Sequence, residues 1–215
     1  MLFGKIDYIN LLPFYIFIKR YVRNSQTKQS INYKKSFPSK INRDFKRRAI
    51  DAAFISSIES KRGNFRSLDI GIIAKGEIQS VILKEGVFKP DSHSATSNQL
   101  AHVLKLNGEV IIGDKALKAY LQTPHEYIDL AKEWKKRTNL PFVFARLCVN
   151  RNYSYYNNLS KNFLKTKIRI PQYIKKKYIY SRQIDGKDID NYLSLVSYNI
   201  DKNAKQSLKK FLKAK

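Results

Sequence analysis

Small polar side chains stand at three points where an apolar, strand-like stretch gives way to a helix-like one. These are Tyr8-Ile9-Asn10, Ser56-Ser57 and Ser94-Ala95-Thr96-Ser97. A helix N-terminus exposes unpaired N–H groups and the positive end of the helix dipole, so such junctions hold carboxylates without needing arginine. Ligands of open α/β sheets bind at these carboxyl ends of strands. Ordinary N-capping uses the same residue types and explains each junction taken singly. Taken together, the three suit a small polyanion held between two lobes.

No familiar catalytic constellation competes with this reading. His93, His102 and His125 do not pair at the i, i+4 spacing of a helical zinc site, and each is expected to be structural. There is no HExxH, GxSxG, P-loop or GxGxxG pattern. One cysteine, Cys148, excludes an internal disulfide and any CxxC metal site; in its apolar run it is expected to be a buried, inert thiol.

The junctions need elements to position them. Leu2 to Tyr8 predicts a strand and a helix opening near Asn10, with Pro13 in its first turn, where proline is tolerated. Ser30 to Lys35 predicts a second strand, and Ser39 an N-cap for a helix with Ile41, Phe45 and Ala49 on one face. Asp51 to Ile55, Leu68 to Ala74 and Ser80 to Leu83 read as further strands, and Ser56-Ser57 as a cap. This β-α-β-α-β order argues for a sheet of parallel strands. From about Gly86 a smaller unit begins. It has a helix opened by Ser94-Ala95-Thr96-Ser97, a strand at Val110 to Ile112, a helix from Lys115 capped by Asp114, a helix from about Tyr127 to Arg137, and a strand from Phe142 to Val149 returning toward the first unit. Helices are expected at about 153–164, 170–180, 188–196 and 204–212.

The 215 residues include 42 Lys and Arg against 17 Asp and Glu, a formal net charge of +25. That field attracts anions, nucleic acid among them. The basic residues are spread over the whole chain, however. The dense runs Lys46-Arg47-Arg48, Lys135-Lys136-Arg137 and Lys175-Lys176-Lys177 each fall within an amphipathic helix, which reads as solvated face. The apolar run from Tyr8 to Ile18 is broken by Asn10 and Pro13 and is shorter than the ~18 apolar residues of a spanning helix. It lacks a signal-peptide cleavage pattern. A cytoplasmic protein without nucleic-acid or membrane partners is expected; oligomeric state is open.

The stretch Gly4-Lys5-Ile6-Asp7-Tyr8-Ile9-Asn10-Leu11-Leu12-Pro13 resembles the opening of the menaquinone-biosynthesis family, which contains chorismate dehydratase and 1,4-dihydroxy-6-naphthoate synthase. The resemblance continues, in family order, through Asp51 to Glu59, Ser80 to Leu83, Ser94 to Ser97, Ile111 to Leu117, Asp129 to Trp134 and Thr138 to Ala145. It covers residues 1 to about 150; the tail is similar only in its helical character. Two departures stand out. The segment between Ser97 and Ile111 is short for the family, and Asn139 replaces a glycine at a helix end, where Asn is the next best left-handed residue.

The resemblance implies a two-lobed, type II periplasmic-binding-protein-like α/β fold with a trimmed second lobe. Lobe one would span 1–85, lobe two 86–149, and helices from 150–215 would complete lobe one. It implies cofactor-free loss of water from chorismate, a small dicarboxylate, in the futalosine route to menaquinone. Asn10 would be catalytic, with Tyr8, Ser56, Ser57, Ser80, Thr96, Ser97 and Asp114 binding substrate. The sister synthase would instead require a second-lobe histidine, for which His125 is the candidate. A non-catalytic small-anion binding protein is the reading from another class.

Overall fold

The structure, a computed structural model, describes residues 1–21, 32–61, 63 and 65–214. Among these, nine strands are β1 (Leu2–Lys5), β2 (Asn32–Lys35), β3 (Ala52–Ser56), β4 (Arg66–Ala74), β5 (Val81–Glu85), β6 (Gly108–Ile112), β7 (Ile128–Asp129), β8 (Phe142–Val149) and β9 (Val196–Asn199). They form a six-stranded sheet ordered β2-β1-β3-β8-β4-β9 and a three-stranded sheet ordered β6-β5-β7. Ser30 and Ile31, expected to begin the second strand, lie outside the described residues.

The large sheet is mixed, not parallel as expected. β1 pairs in parallel with β2 and β3, but β8 runs antiparallel between β3 and β4, and β9 antiparallel to β4. The cause is the return from the small unit: β8 fills the gap that the connection from β3 to β4 leaves open. The lobe boundaries move accordingly. β5, expected in the first lobe, is the central strand of the small sheet, and the boundary expected near residue 149 falls instead at Pro141. A buried apolar run does not reveal which sheet it completes. β9 likewise replaces the end of an expected helix, because Gly186–Leu195 stops one residue earlier and Val196, Ser197 and Asn199 pair with the free edge of β4.

Packing explains the rest. Every residue of β3 is buried, and a side chain at Gly4 on neighbouring β1 would lie 2.9 Å from both Ala53 Cβ and Ile41 Cγ2. Only glycine lets β1 approach β3 and the helix Pro38–Lys46 so closely. That helix begins with Pro38 after Phe37, without a side-chain cap, so Ser39 does not cap it. On one side of the large sheet Phe14 meets Phe54 and Phe163 edge-on, at ring distances of 5.0 and 5.2 Å, docking helices Leu12–Tyr21 and Tyr153–Lys165. Cys148 is buried as expected, and burial pushes its thiol up to about 11.

Two connections, residues 75–80 and 139–141, join the lobes. Asp129 anchors the first. Its buried carboxylate accepts from Ile78 and Gln79 N–H at 2.8 and 2.6 Å while capping the helix Leu130–Thr138 through Ala131 and Lys132 N–H. At the second, Asn139 takes the left-handed conformation expected of it (φ 56°).

Candidate active site

A cleft enclosing about 640 Å³, its open mouth included, lies between the sheets. Its walls are apolar: Ile6, Leu11, Phe54, Ile72, Ile78, Ile112 and Phe144. Tyr8, Asn10, Ser56, Ser80, Ser94 and Ser97 supply the polar side chains. Among the described residues that line it, only Tyr8 titrates. Burial, with Asp91 and Asp114 nearby, pushes its hydroxyl up to about 12, so it remains a neutral hydrogen-bonding group at physiological pH.

Asn10 sits in a short 3-10 turn, Ile9–Leu11, between β1 and the helix Leu12–Tyr21. Its backbone carbonyl accepts from the Tyr198 hydroxyl at 2.7 Å. Its side chain lies beside the hydroxyl of Tyr192, which meets Ser80 Oγ at 2.8 Å. Asn10 Oδ1 itself is buried and has no hydrogen-bond partner among the described residues. Leaving an acceptor in that state costs about 1–3 kcal/mol, a cost that a ligand donor would recover. Tyr192 and Tyr198 were not legible as site residues, since an aromatic at helical or strand spacing reads as core.

Two charged residues hold this turn from outside the cleft. Asp114 Oδ1 accepts from Ile9 N–H at 3.0 Å, and its Oδ2 meets Arg182 Nε at 2.6 Å. Arg182 Nη2 reaches the Asp7 carbonyl at 2.9 Å and its carboxylate at 3.2 Å. Burial pushes the Asp114 carboxyl up, and the Ile9 N–H and Arg182 oppose it. Arg182 thus clamps both flanks of Tyr8 and ties them to the second lobe. It belongs to the tail in which no motif pointed to it.

The expected residues therefore divide. Tyr8, Asn10, Ser56, Ser80 and Ser97 converge on the cleft, whereas Ser57, Thr96 and Asp114 do not line it. Ser57 Oγ donates to the Val143 carbonyl and is wholly buried. Thr96 Oγ1 accepts from Ile58 N–H at 3.1 Å, bridging the lobes. Asp114 is the first residue of its helix, Asp114–Gln122, not its cap. Gly113 precedes it with φ +73°, and a side chain there would press to 2.7 Å from the Tyr8 ring. Ser56 Oγ accepts from Asn42 Nδ2 at 3.0 Å and caps nothing. Ser94 caps the helix Ala95–Val103 as expected, accepting from Ser97 N–H.

The histidines also separate. His125 occupies an exposed 3-10 turn, Pro124–Glu126, away from the cleft. His93 stacks on Phe37 with ring centroids 4.4 Å apart. Phe37 precedes Pro38 on the large lobe and His93 precedes Ser94 on the small one, so the pair bridges the lobes beside two lining residues. Among the described residues, no three His, Cys, Asp or Glu side chains gather to hold a metal ion, and no helix is long and apolar enough to cross a membrane.

The menaquinone-biosynthesis family model matches residues 1–106 and 87–215 of this chain. The chain belongs to the menaquinone-biosynthesis family. A relative from Campylobacter jejuni, named chorismate dehydratase, is 50% identical over 216 residues, covering 100% of this chain and 97% of that protein. Among solved structures, protein AF1704 from Archaeoglobus fulgidus superposes with a TM-score of 0.72 at 14% identity, covering 98% of this chain and 94% of its own. The periplasmic aliphatic sulphonate binding protein SsuA from Escherichia coli does so with a TM-score of 0.57 at 9% identity, covering 99% and 85%. These likenesses place this family member in the periplasmic-binding-protein-like fold. They agree with its two lobes and interlobe cleft.

Proposed function

We propose that this chain is a chorismate dehydratase, a cofactor-free hydro-lyase that converts chorismate to 3-[(1-carboxyvinyl)oxy]benzoate and water in the cytoplasm. The 50% identity to the Campylobacter jejuni chorismate dehydratase over the whole chain carries this reading. The cleft supports it. Its polar wall is made of neutral groups, which suit a substrate that brings its own two carboxylates, and its apolar wall suits a six-membered carbon ring.

The chemistry needs little from the protein beyond orientation and exclusion of water, because aromatisation drives the elimination. The proton on the ring carbon bearing the enolpyruvyl ether must leave, and so must the neighbouring hydroxyl. Among the described residues, no side chain lining the cleft is an anionic base. In this reading a carboxylate of the substrate accepts the ring proton, the C–H electrons form the ring double bond, and the C–O bond breaks. The departing hydroxide takes the proton from the resulting carboxylic acid, releasing water and restoring the carboxylate. Asn10 Oδ1 accepts from the ring hydroxyl and fixes it, and the first-turn N–H groups of Ala95–Val103 hold a carboxylate.

Incubation of purified protein with chorismate should give the aromatic absorbance of the product, unaffected by chelator or nicotinamide nucleotides. Tight binding without turnover would transfer the protein to the anion-binding class. With turnover as the readout, Phe37→Ala should raise KM roughly 3- to 10-fold with little change in kcat. That is the expected cost of losing an aromatic pair worth about 0.5–1.5 kcal/mol that closes the cleft. An unchanged KM would mean that the Phe37–His93 contact plays no part in retention.

A further inference from the structure

The chain leaving β1 sends Ile6 and Tyr8 into the cleft and, by the alternation of an extended backbone, Lys5 and Asp7 to the other side. There they meet a second cavity, about 1110 Å³ to its open mouth, walled by the helices Leu12–Tyr21 and Gln172–Arg182. Among the described residues, five cations border it (Lys5, Lys19, Lys35, Lys177 and Arg182) against one carboxylate, Asp7.

That carboxylate is already engaged. Lys35 Nζ lies 2.8 Å from it, Arg182 Nη2 3.2 Å, and the Tyr178 hydroxyl donates to it at 2.8 Å. Burial would raise the Asp7 carboxyl, but the bonds from Lys35 and Tyr178 hold it down at about 2. Arg182 is further committed to Asp114. Among the described residues this leaves Lys5, Lys19 and Lys177 without a carboxylate at ion-pair distance. Residues 22–31, which follow the first of the two helices, contain neither Asp nor Glu.

Lys5 differs from the solvated lysines that cover this protein. Its ammonium is held 4.9 Å above the Tyr15 ring and 5.8 Å from that of Tyr33. Burial lowers its pKa; Asp7 raises it, and the like charges of Lys19, Lys35 and Lys177 lower it again. Converging ammonium groups of this kind repel one another until an anion sits among them.

We propose that this cavity binds the diphosphate group of a small organic molecule, with Lys5, Lys19 and Lys177 supplying the opposing charge. Three compact ammonium groups suit phosphate oxygens as point charges. A carboxylate ligand would favour a free guanidinium fork, and the guanidinium here is taken. Leu12, Ile16, Ile174 and Tyr173 give the organic portion an apolar wall. The site is separate from the cleft and does not depend on the reaction assigned to it.

Calorimetric titration of the full chain with inorganic pyrophosphate, free of magnesium and at an ionic strength of about 0.15 M, tests the proposal. One saturable site is expected. Lys19→Gln with Lys177→Gln should weaken it at least about tenfold, as expected for removing charges near a bound anion. Lys209→Gln with Lys210→Gln makes the same charge change on the exposed face of Lys202–Lys213 and should leave the affinity within about twofold. All four lysines are exposed, so both variants should fold. Equal weakening by the two pairs would reduce the effect to the general field of a +25 protein and overturn the proposal. Absence of saturable binding to the unmodified chain would overturn it as well.

Discussion

Asn10→Ala should lower kcat on chorismate by about 10²–10³ while changing KM by less than about fivefold, the scale seen when one preorganised polar group at a reacting centre is removed. By accepting from the hydroxyl, Oδ1 fixes the direction in which it leaves, so its loss should misalign the reacting groups and fall on the chemical step. Steady-state kinetics followed by product absorbance would separate the two parameters. A rise in KM with kcat preserved would make Asn10 a ground-state binding group and move the chemistry elsewhere in the cleft. Tyr192→Phe serves as a companion. It removes the hydroxyl between Asn10 and Ser80 but keeps the ring, and should reproduce part of the kcat loss without altering the fold.

Arg182→Gln should cost about 3 kcal/mol of stability, the lower end for breaking a buried ion pair, since the guanidinium is 26% exposed while the Asp114 carboxylate is only 10% exposed. For a chain of this length that corresponds to a Tm lower by roughly 6–12 °C. At temperatures where the variant is fully folded, kcat should also fall, because the Ile9–Asn10 turn loses the clamp that fixes it to the second lobe. Misplacement by about 1 Å costs as much as 10²-fold in rate. Arg182→Lys should recover part of the stability but little of the turnover, since one ammonium cannot reach Asp7 and Asp114 as a planar fork does. If the folded Arg182→Gln variant turns over at the original rate, Arg182 is a structural residue and not a positioning one.

The fates of individual residues show what was legible. Ser94 and Asn139 were readable because N-caps and left-handed helix ends are local: the backbone next to the residue sets the demand. Ser39 failed by the same logic, since a proline following Phe37 opened its helix without a side-chain cap. Ser57 and Thr96 carry the right hydroxyls at the right junctions, yet they spend them on the Val143 carbonyl and the Ile58 N–H. Those partners lie 86 and 38 residues away in the chain, and no local pattern encodes them.

Sequence alone determined the α/β class and the two-lobed family, and singled out Tyr8, Asn10, Ser56, Ser80 and Ser97, which line the cleft, because apolar periodicity, caps and ordered motif blocks are properties of neighbouring residues. Tertiary structure alone decided that β8 inserts between β3 and β4, that β5 belongs to the small sheet, and that Arg182, Tyr192 and Tyr198 come from the tail to brace the turn at Asn10. The physical reason is the range of the forces involved. Strand pairing and buried hydrogen bonds are satisfied by whichever group the fold brings near, and for Asn10 those groups come from more than 180 residues along the chain.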